Sequence, residues 1–211
     1  MDETERIVDG YRRESAALIQ RYRAISPEAL FAPVRSFFPS PPARALDLGA
    51  GLGRDALWLA GLGYDVVAVE PVDAFREAGR AATGALAARW IDDRLPELNR
   101  LSKLAPGPYD LAVMNAVWQH VAPADRPGAL RRIAARLAPS GVLILSLRHG
   151  PGAAGRLVWP IDVDETRRQA QTTGLTVRHA EPRASLQGAN VAAGVTWMWL
   201  VLTRDDSGAG A

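Results

Sequence analysis

The run Ala45-Leu46-Asp47-Leu48-Gly49-Ala50-Gly51-Leu52-Gly53-Arg54-Asp55 constrains this chain more than any other stretch. Apolar, strand-like text leads into three glycines at alternate positions, and Asp55-Ala56-Leu57-Trp58-Leu59-Ala60 then reads as a helix. A strand that turns through glycines into a helix leaves backbone N–H groups facing outward, with room for a ligand against the chain. The text resumes with Tyr64-Asp65-Val66-Val67-Ala68-Val69-Glu70, an apolar strand ending in an acid. A carboxylate at the tip of the neighbouring strand can accept from both hydroxyls of a ribose. The segment predicts a nucleoside-binding βαβ unit.

Two cofactor classes use this layout. Gly51-Leu52-Gly53-Arg54-Asp55-Ala56 fits the dinucleotide fingerprint, with Glu70 near the ~20-residue spacing of its ribose-binding acid. Read from Asp47, the same text resembles D-x-G-x-G-x-G, the first motif of the class I S-adenosylmethionine (SAM) methyltransferases. A carboxylate pointing into the turn would repel a pyrophosphate but favour an α-ammonium and a nearby sulfonium. Asp47 therefore favours SAM. An NAD(P)-dependent oxidoreductase is the rival reading, and a SAM-binding protein or enzyme that does not transfer methyl is another.

The resemblance extends over most of residues 40–204. Trp90-Ile91-Asp92-Asp93-Arg94-Leu95-Pro96 is similar to the family's third strand, whose terminal acid meets the adenine amino group; Asp93 is the first choice and Asp92 the second. Tyr109 to Val121 is similar to the fourth strand and its loop. Leu130 to Leu137 then reads as a helix, Ala138-Pro139-Ser140-Gly141 as the turn before the fifth strand, and Val142 to Leu147 as that strand. By resemblance, Gly49, Gly51 and Gly53 would carry the backbone past the methionine and ribose portions. Asp47 would orient the ammonium, Glu70 would hold the ribose diol, and Asn115 would meet the methionine end. Ala50, Pro71 and Arg94, beside these positions, join the implied cofactor contacts. Arg54 either pairs with the cofactor carboxylate or is solvated, and Asp55 reads as a helix N-terminal charge.

Helices precede the nucleotide core. Residues 3–25 show an amphipathic stripe of Ile7, Tyr11, Leu18, Tyr22 and Ile25. Ser26 and Pro27 open a second helix that should run to Phe37, where Pro39-Ser40-Pro41-Pro42 breaks it. In the family such a leader lies over the cofactor pocket, so Tyr11 and Tyr22 either line an acceptor site or pack. From 43 to 148 strand and helix alternate, with helix text from Val72 to Ala88, which implies a parallel sheet. Asp162 to Thr173 reads as a helix, Leu175 to Ala180 as a sixth strand and Thr196 to Leu202 as a seventh. The Glu181–Gly194 loop between these two strands fits an antiparallel hairpin. The expected fold is α/β and Rossmann-like: seven strands, mostly parallel with an antiparallel final strand, helices on both faces, and an N-terminal helical cap. One methyltransferase domain would span 1–204, with 1–40 as leader, 43–204 as core and 205–211 as a disordered tail.

His120 is a candidate general base or a structural hydrogen bonder. His149, after the fifth strand, sits where ligands of open α/β sheets bind, a place from which an imidazole can act as a general base. Arg148 either anchors a substrate carboxylate or phosphate or caps the sheet edge. Trp118 and Trp159 are candidates to line an acceptor pocket, whereas Trp197 and Trp199 alternate along the last strand as sheet-face residues.

The chain has no cysteine, so disulfides and thiolate chemistry are excluded, and its three histidines are dispersed, so no metal site is expected. Its pI of about 9.4 accompanies a net charge of only +2, with arginines scattered among acids. Nucleic acid is accordingly not the expected partner. The expected partner is a small-molecule methyl acceptor, with the protein a monomer or homodimer. A polar start and the lack of an apolar run near the ~18 residues that span a bilayer imply a cytoplasmic protein without membrane attachment.

Overall fold

The computed structural model describes residues 2–84, 86, 88–152 and 155–205. Helix α1 (Glu3–Arg23) opens on a capping box in which the Asp2 carboxylate accepts the Glu5 N–H and the Glu5 carboxylate accepts the Asp2 N–H. α2 (Pro27–Phe31) is capped by Ser26 and stops short of the expected Phe37. Pro33 cannot continue the helical ladder, and the chain tightens into a 3₁₀ turn over Arg35–Phe37.

The core then alternates β1 (Arg44–Leu48), α3 (Arg54–Gly61), β2 (Asp65–Val69), α4 (Asp73–Thr83), β3 (Ala88–Ile91), α5 (Asn99–Leu104), β4 (Tyr109–Met114), α6 (Arg126–Ala134) and β5 (Leu137–His149). After it come α7 (Val163–Gln171), β6 (Leu175–Ala184), the short α8 (Gly188–Ala192) and β7 (Thr196–Arg204). The seven strands form one sheet in the order β3-β2-β1-β4-β5-β7-β6. β7 slots between β5 and β6 and runs antiparallel to both, as expected for the final strand.

Further elements differ from the sequence expectation, as α2 does, and β6 runs on past Ala180 to Ala184. α4 ends at Thr83 because Ala88 is already paired with Val66 in the sheet. α6 begins at Arg126, with Pro127 in its first turn, and ends before Leu137, which pairs with Tyr109. Ala138 to Gly141 is an excursion inside β5, where pairing jumps from Tyr109–Leu137 to Leu111–Val142. α5 and α8 were not expected; at six and five residues they are too short for a periodic signal. Asp205 is held by Gly174 and Thr176, and the remainder of the expected tail, 206–211, lies outside the described residues.

Strand alternation divides the core in two. Leu46, Leu48, Val67, Val69, Ala112, Met114, Leu143 and Leu145 face one side and pack with α5, α6 and α7. Ala45, Val66, Ala68, Leu111, Val113, Ile144 and Trp199 face the other, against Phe31 of α2 and Ala56 and Leu59 of α3. α1 packs across α4 through Val8, Leu18 and Phe75, which places the leader beside the carboxyl ends of β1 and β2.

Candidate functional site

β1, β2 and β4 run parallel and end together, so the turns that follow them share one edge of the sheet. The turn after β1 is pinned by Gly49 and Ala50 N–H groups donating to the Val69 carbonyl at 2.8 and 3.0 Å. Gly51 has φ +56°, and a side chain there would meet nothing within 4 Å, so its backbone borders open space. Gly53, at φ +82°, has the opposite reason to lack a side chain: a Cβ would lie 2.6 Å from the Trp90 ring. The glycine spacing thus combines an open backbone with a close helix–strand contact.

Glu70 stands at the tip of β2, 5% exposed. Each of its oxygens accepts one backbone N–H at 2.8 Å, from Gly51 and from Val72. Burial pushes its carboxyl up to about 7, while the two N–H donors and Arg76 pull the other way. Every carboxylate oxygen has more than one acceptor direction, so two further hydroxyl donors can be received. Asp47 is buried behind the turn with its Oδ2 unpartnered, and burial together with the Asp55 charge raises its carboxyl well above the usual range. Arg54 grips Asp55 through two bonds of 2.6 and 2.8 Å. The Asn115 amide is oriented by a chain: Ala116 N–H donates to Ser146 Oγ, Ser146 donates to Asn115 Oδ1, and Asn115 Nδ2 donates to Asp55.

α1 closes the other side. Tyr11 reaches His120 Nε2 at 2.8 Å, and His120 Nδ1 lies 2.7 Å from the Leu157 carbonyl. A carbonyl only accepts, so Nδ1 carries the proton and neutral Nε2 accepts from the tyrosine hydroxyl. Burial lowers His120 to about 4 and raises the Tyr11 hydroxyl above its ordinary value. Arg156 lies 5.0 Å over the Tyr11 ring, donates to the Tyr22 hydroxyl at 3.4 Å and pairs with Glu14 at 3.3 Å.

A cavity of about 380 Å³ joins these groups. Gly49, Ala50, Gly51, Arg54, Glu70, Pro71, Asp93, Arg94 and Asn115 line it, as do Tyr11, Tyr22, His120 and Arg148. The other sequence candidates lie elsewhere. Asp47 and Gly53 stand behind the cavity wall rather than in it. Asp92 is held by Arg76 and Arg100 at 3.1 and 2.6 Å. Asp93 borders the cavity, but its carboxylate accepts from the Arg94 and Leu101 N–H groups, the latter at the start of α5.

Trp118 is fully buried in the core beside α6, with Arg126 over its ring at 5.9 Å. Trp159 is not a lining residue, although its backbone N–H donates at 2.9 Å to the carbonyl of Gln119, which is one. His149 is not a lining residue either: it follows Leu143, Leu145 and Leu147 in the alternation of β5, on the face opposite Arg148. His120 lines the cavity with both ring nitrogens engaged, which is the structural-bonder reading. Sequence reading missed Asp55 and Arg156 as lining residues and took Trp197 and Trp199 only as sheet-face residues, though both border the cavity. Their period-2 spacing was the available signal; Arg156 carried none.

A family model described as a methyltransferase domain matches residues 19–180. The chain belongs to this methyltransferase family. The same fold occurs in a TehB-like SAM-dependent methyltransferase from Corynebacterium glutamicum, with TM-score 0.63, 22% identity, and coverage of 92% of this chain and 99% of that one. A 1,6-didemethyltoxoflavin-N1-methyltransferase from Burkholderia thailandensis, solved with 1,6-didemethyltoxoflavin and S-adenosylhomocysteine, gives TM-score 0.69 at 22% identity over 94% of this chain and 88% of that one. A magnesium protoporphyrin IX methyltransferase from Synechocystis, solved with SAM, gives 0.61 at 13% identity over 93% and 80%. No curated protein sequence matches the chain. Among the described residues of this methyltransferase no helix is long and apolar enough to cross a membrane, and no cluster of histidine and acidic side chains could hold a metal ion.

Proposed function

We propose that this methyltransferase uses SAM to methylate N, O or C of a small-molecule acceptor. The observation that carries the reading is Glu70: a buried carboxylate at the tip of β2, beside the open backbone of Gly51, with acceptor capacity left for a ribose diol. Asn115 and the Arg54–Asp55 pair would meet the amino-acid end, and the unpartnered Oδ2 of the buried Asp47 stands behind them as a further acceptor. A dinucleotide pyrophosphate would face the same acids and be repelled.

Bound SAM supplies an electrophilic methyl, which the acceptor's lone pair attacks in line as the C–S bond breaks and its electron pair stays on sulfur. The protein's share is alignment and exclusion of water. α1 roofs the cavity through the Tyr11–His120 bond, and fixed orientation of two reactants is worth on the order of 7–11 kcal/mol. His120 is held neutral with its Nε2 occupied by Tyr11, which supports an acceptor that arrives with a free lone pair over one that must be deprotonated by a histidine. Calorimetric titration with SAM and S-adenosylhomocysteine (SAH) tests the proposal. Binding is expected in the micromolar range, and Glu70→Ala should weaken it by at least about tenfold, since hydrogen bonds to a charged group contribute about 1.5–3 kcal/mol. Folded protein that binds neither compound would refute it.

A further inference from the structure

β5, β7 and β6 carry a row of side chains across the end of the cavity away from Glu70. The register sets Trp197 opposite Arg148 of β5 and opposite Arg183 of β6, so the three project from one face in the order Arg–Trp–Arg. Directly opposed residues of antiparallel strands have Cβ atoms roughly 4.5–5.5 Å apart, so Trp197 has an arginine for its cross-strand neighbour on each side. All three line the cavity. Trp199, two residues further along β7, continues the same surface and is fixed edge-on by Phe31 at 5.5 Å.

The charges in this row are not equivalent. Arg183 is paired with Glu181 at 2.6 Å, Arg156 with Glu14 and Arg54 with Asp55. Arg21 is exposed to water. Arg148 is half-buried and, among the described residues, donates only to the Gly150 carbonyl at 3.2 Å. Burial works against its charged form, as does the nearby Arg156 charge, while the Tyr11 and Tyr22 hydroxyls act the other way. A guanidinium withdrawn from water without a counter-charge is costly, and the planar group that offsets it best is a carboxylate gripped by two parallel N–H bonds. The neighbouring Trp197 indole, half-buried in the cavity wall, is an aromatic partner for a ring bound there.

We propose that the acceptor is an aromatic acid, its carboxylate paired with Arg148 and its ring laid on Trp197. This deepens the methyl-transfer reading and rests on it. The test holds SAH at saturation and measures, by ligand-observed NMR titration, the affinities of 2-naphthoate, 2-naphthamide and cyclohexanecarboxylate. Naphthoate should bind at least about tenfold more tightly than the amide, the size expected of hydrogen bonds to a charged group, and more tightly than the aliphatic acid, which keeps the carboxylate but has no aromatic ring. Arg148→Gln should erase the preference over the amide, with Arg148→Lys restoring part of it. Trp197→Leu should erase the preference over the aliphatic acid.

SAH affinity measured on each variant reports whether it is folded. Equal binding of naphthoate and naphthamide to the wild type overturns the proposal without any variant. So does a preference that survives Arg148→Gln, or no naphthoate binding to protein that binds SAH. Failure of the wild type to bind SAH would instead remove the methyl-transfer reading beneath it.

Discussion

Glu70 ties the site to pH. Burial lifts its carboxyl to about 7 from an ordinary 4.5. Below pH 4.5 folded and unfolded chains both hold the proton; between 4.5 and 7 only the folded chain does, so stability falls as pH rises and levels above 7, by about 3 kcal/mol in all. His120 has the opposite sign: burial lowers it to about 4, so the unfolded chain binds the extra proton between 4 and 6.5 and stability rises across that window. The two trends offset in the wild type. The difference between wild-type and Glu70→Gln denaturation curves isolates the first, and a difference that stays flat from pH 4 to 8 would contradict it. Ribose hydroxyls donate to the ionised carboxylate, so SAH affinity should also climb up to pH 7 and then plateau, with Glu70→Gln losing the climb. The sequence exposed Glu70 because an acid ending a strand next to a glycine turn is a local pattern. It could not expose the Tyr11–His120 bond, whose partners are 109 positions apart.

Elements are fitted to one another by their small residues. A Cβ at Gly79 of α4 would overlap the Trp90 ring of β3, which also covers Gly53 at the start of α3. Gly79→Ala is therefore expected to cost about 1–3 kcal/mol by overpacking, and to disturb the glycine turn through Trp90. Gly61, near the end of α3, has nothing within 4 Å, so Gly61→Ala should be neutral or stabilising by up to about 1 kcal/mol. Urea midpoints of the two variants decide whether packing or helix propensity governs each position. In α1, Tyr11→Phe leaves His120 Nε2 without its donor and should cost about 1–3 kcal/mol. Hydrogen exchange should then show α1 opening more often relative to the sheet. The stripe of α1 was readable from its period. That its tyrosines and Ile7 border a cavity while Leu18 is buried against α4 depends on where α4 and the 155–158 segment lie against it.

At the scale of the molecule, ligand and fold are one equilibrium. SAH at a hundredfold over its dissociation constant should stabilise the protein by about 2.7 kcal/mol, because only the folded chain assembles the edge shared by β1, β2 and β4. For a chain of about 200 residues that raises Tm by roughly 5–10 °C, read by differential scanning fluorimetry, and Glu70→Ala should show a smaller rise at the same SAH concentration. The small net charge agrees with a surface where cations sit beside acids, as Arg12 does with Asp9, Arg44 with Asp65 and Arg167 with Asp164.

The order of strands and helices, the glycine turn and its acid were determined by the sequence alone, because each is written in neighbouring residues: period-2 apolar runs, glycines at fixed offsets and a charge at a strand tip. The antiparallel seventh strand also followed, from a loop with two glycines and no strong helix text. The tertiary structure alone decided which charges are spent. Asp92 and Asp93 have similar local text, yet arginines hold one and backbone amides the other. Adjacent Arg148 and His149 go to opposite faces of β5, so only the arginine meets the cavity. Trp118 is drawn into the core while Trp197 stays at the cavity. These outcomes depend on register and on partners from distant elements, which exist only once the sheet has formed.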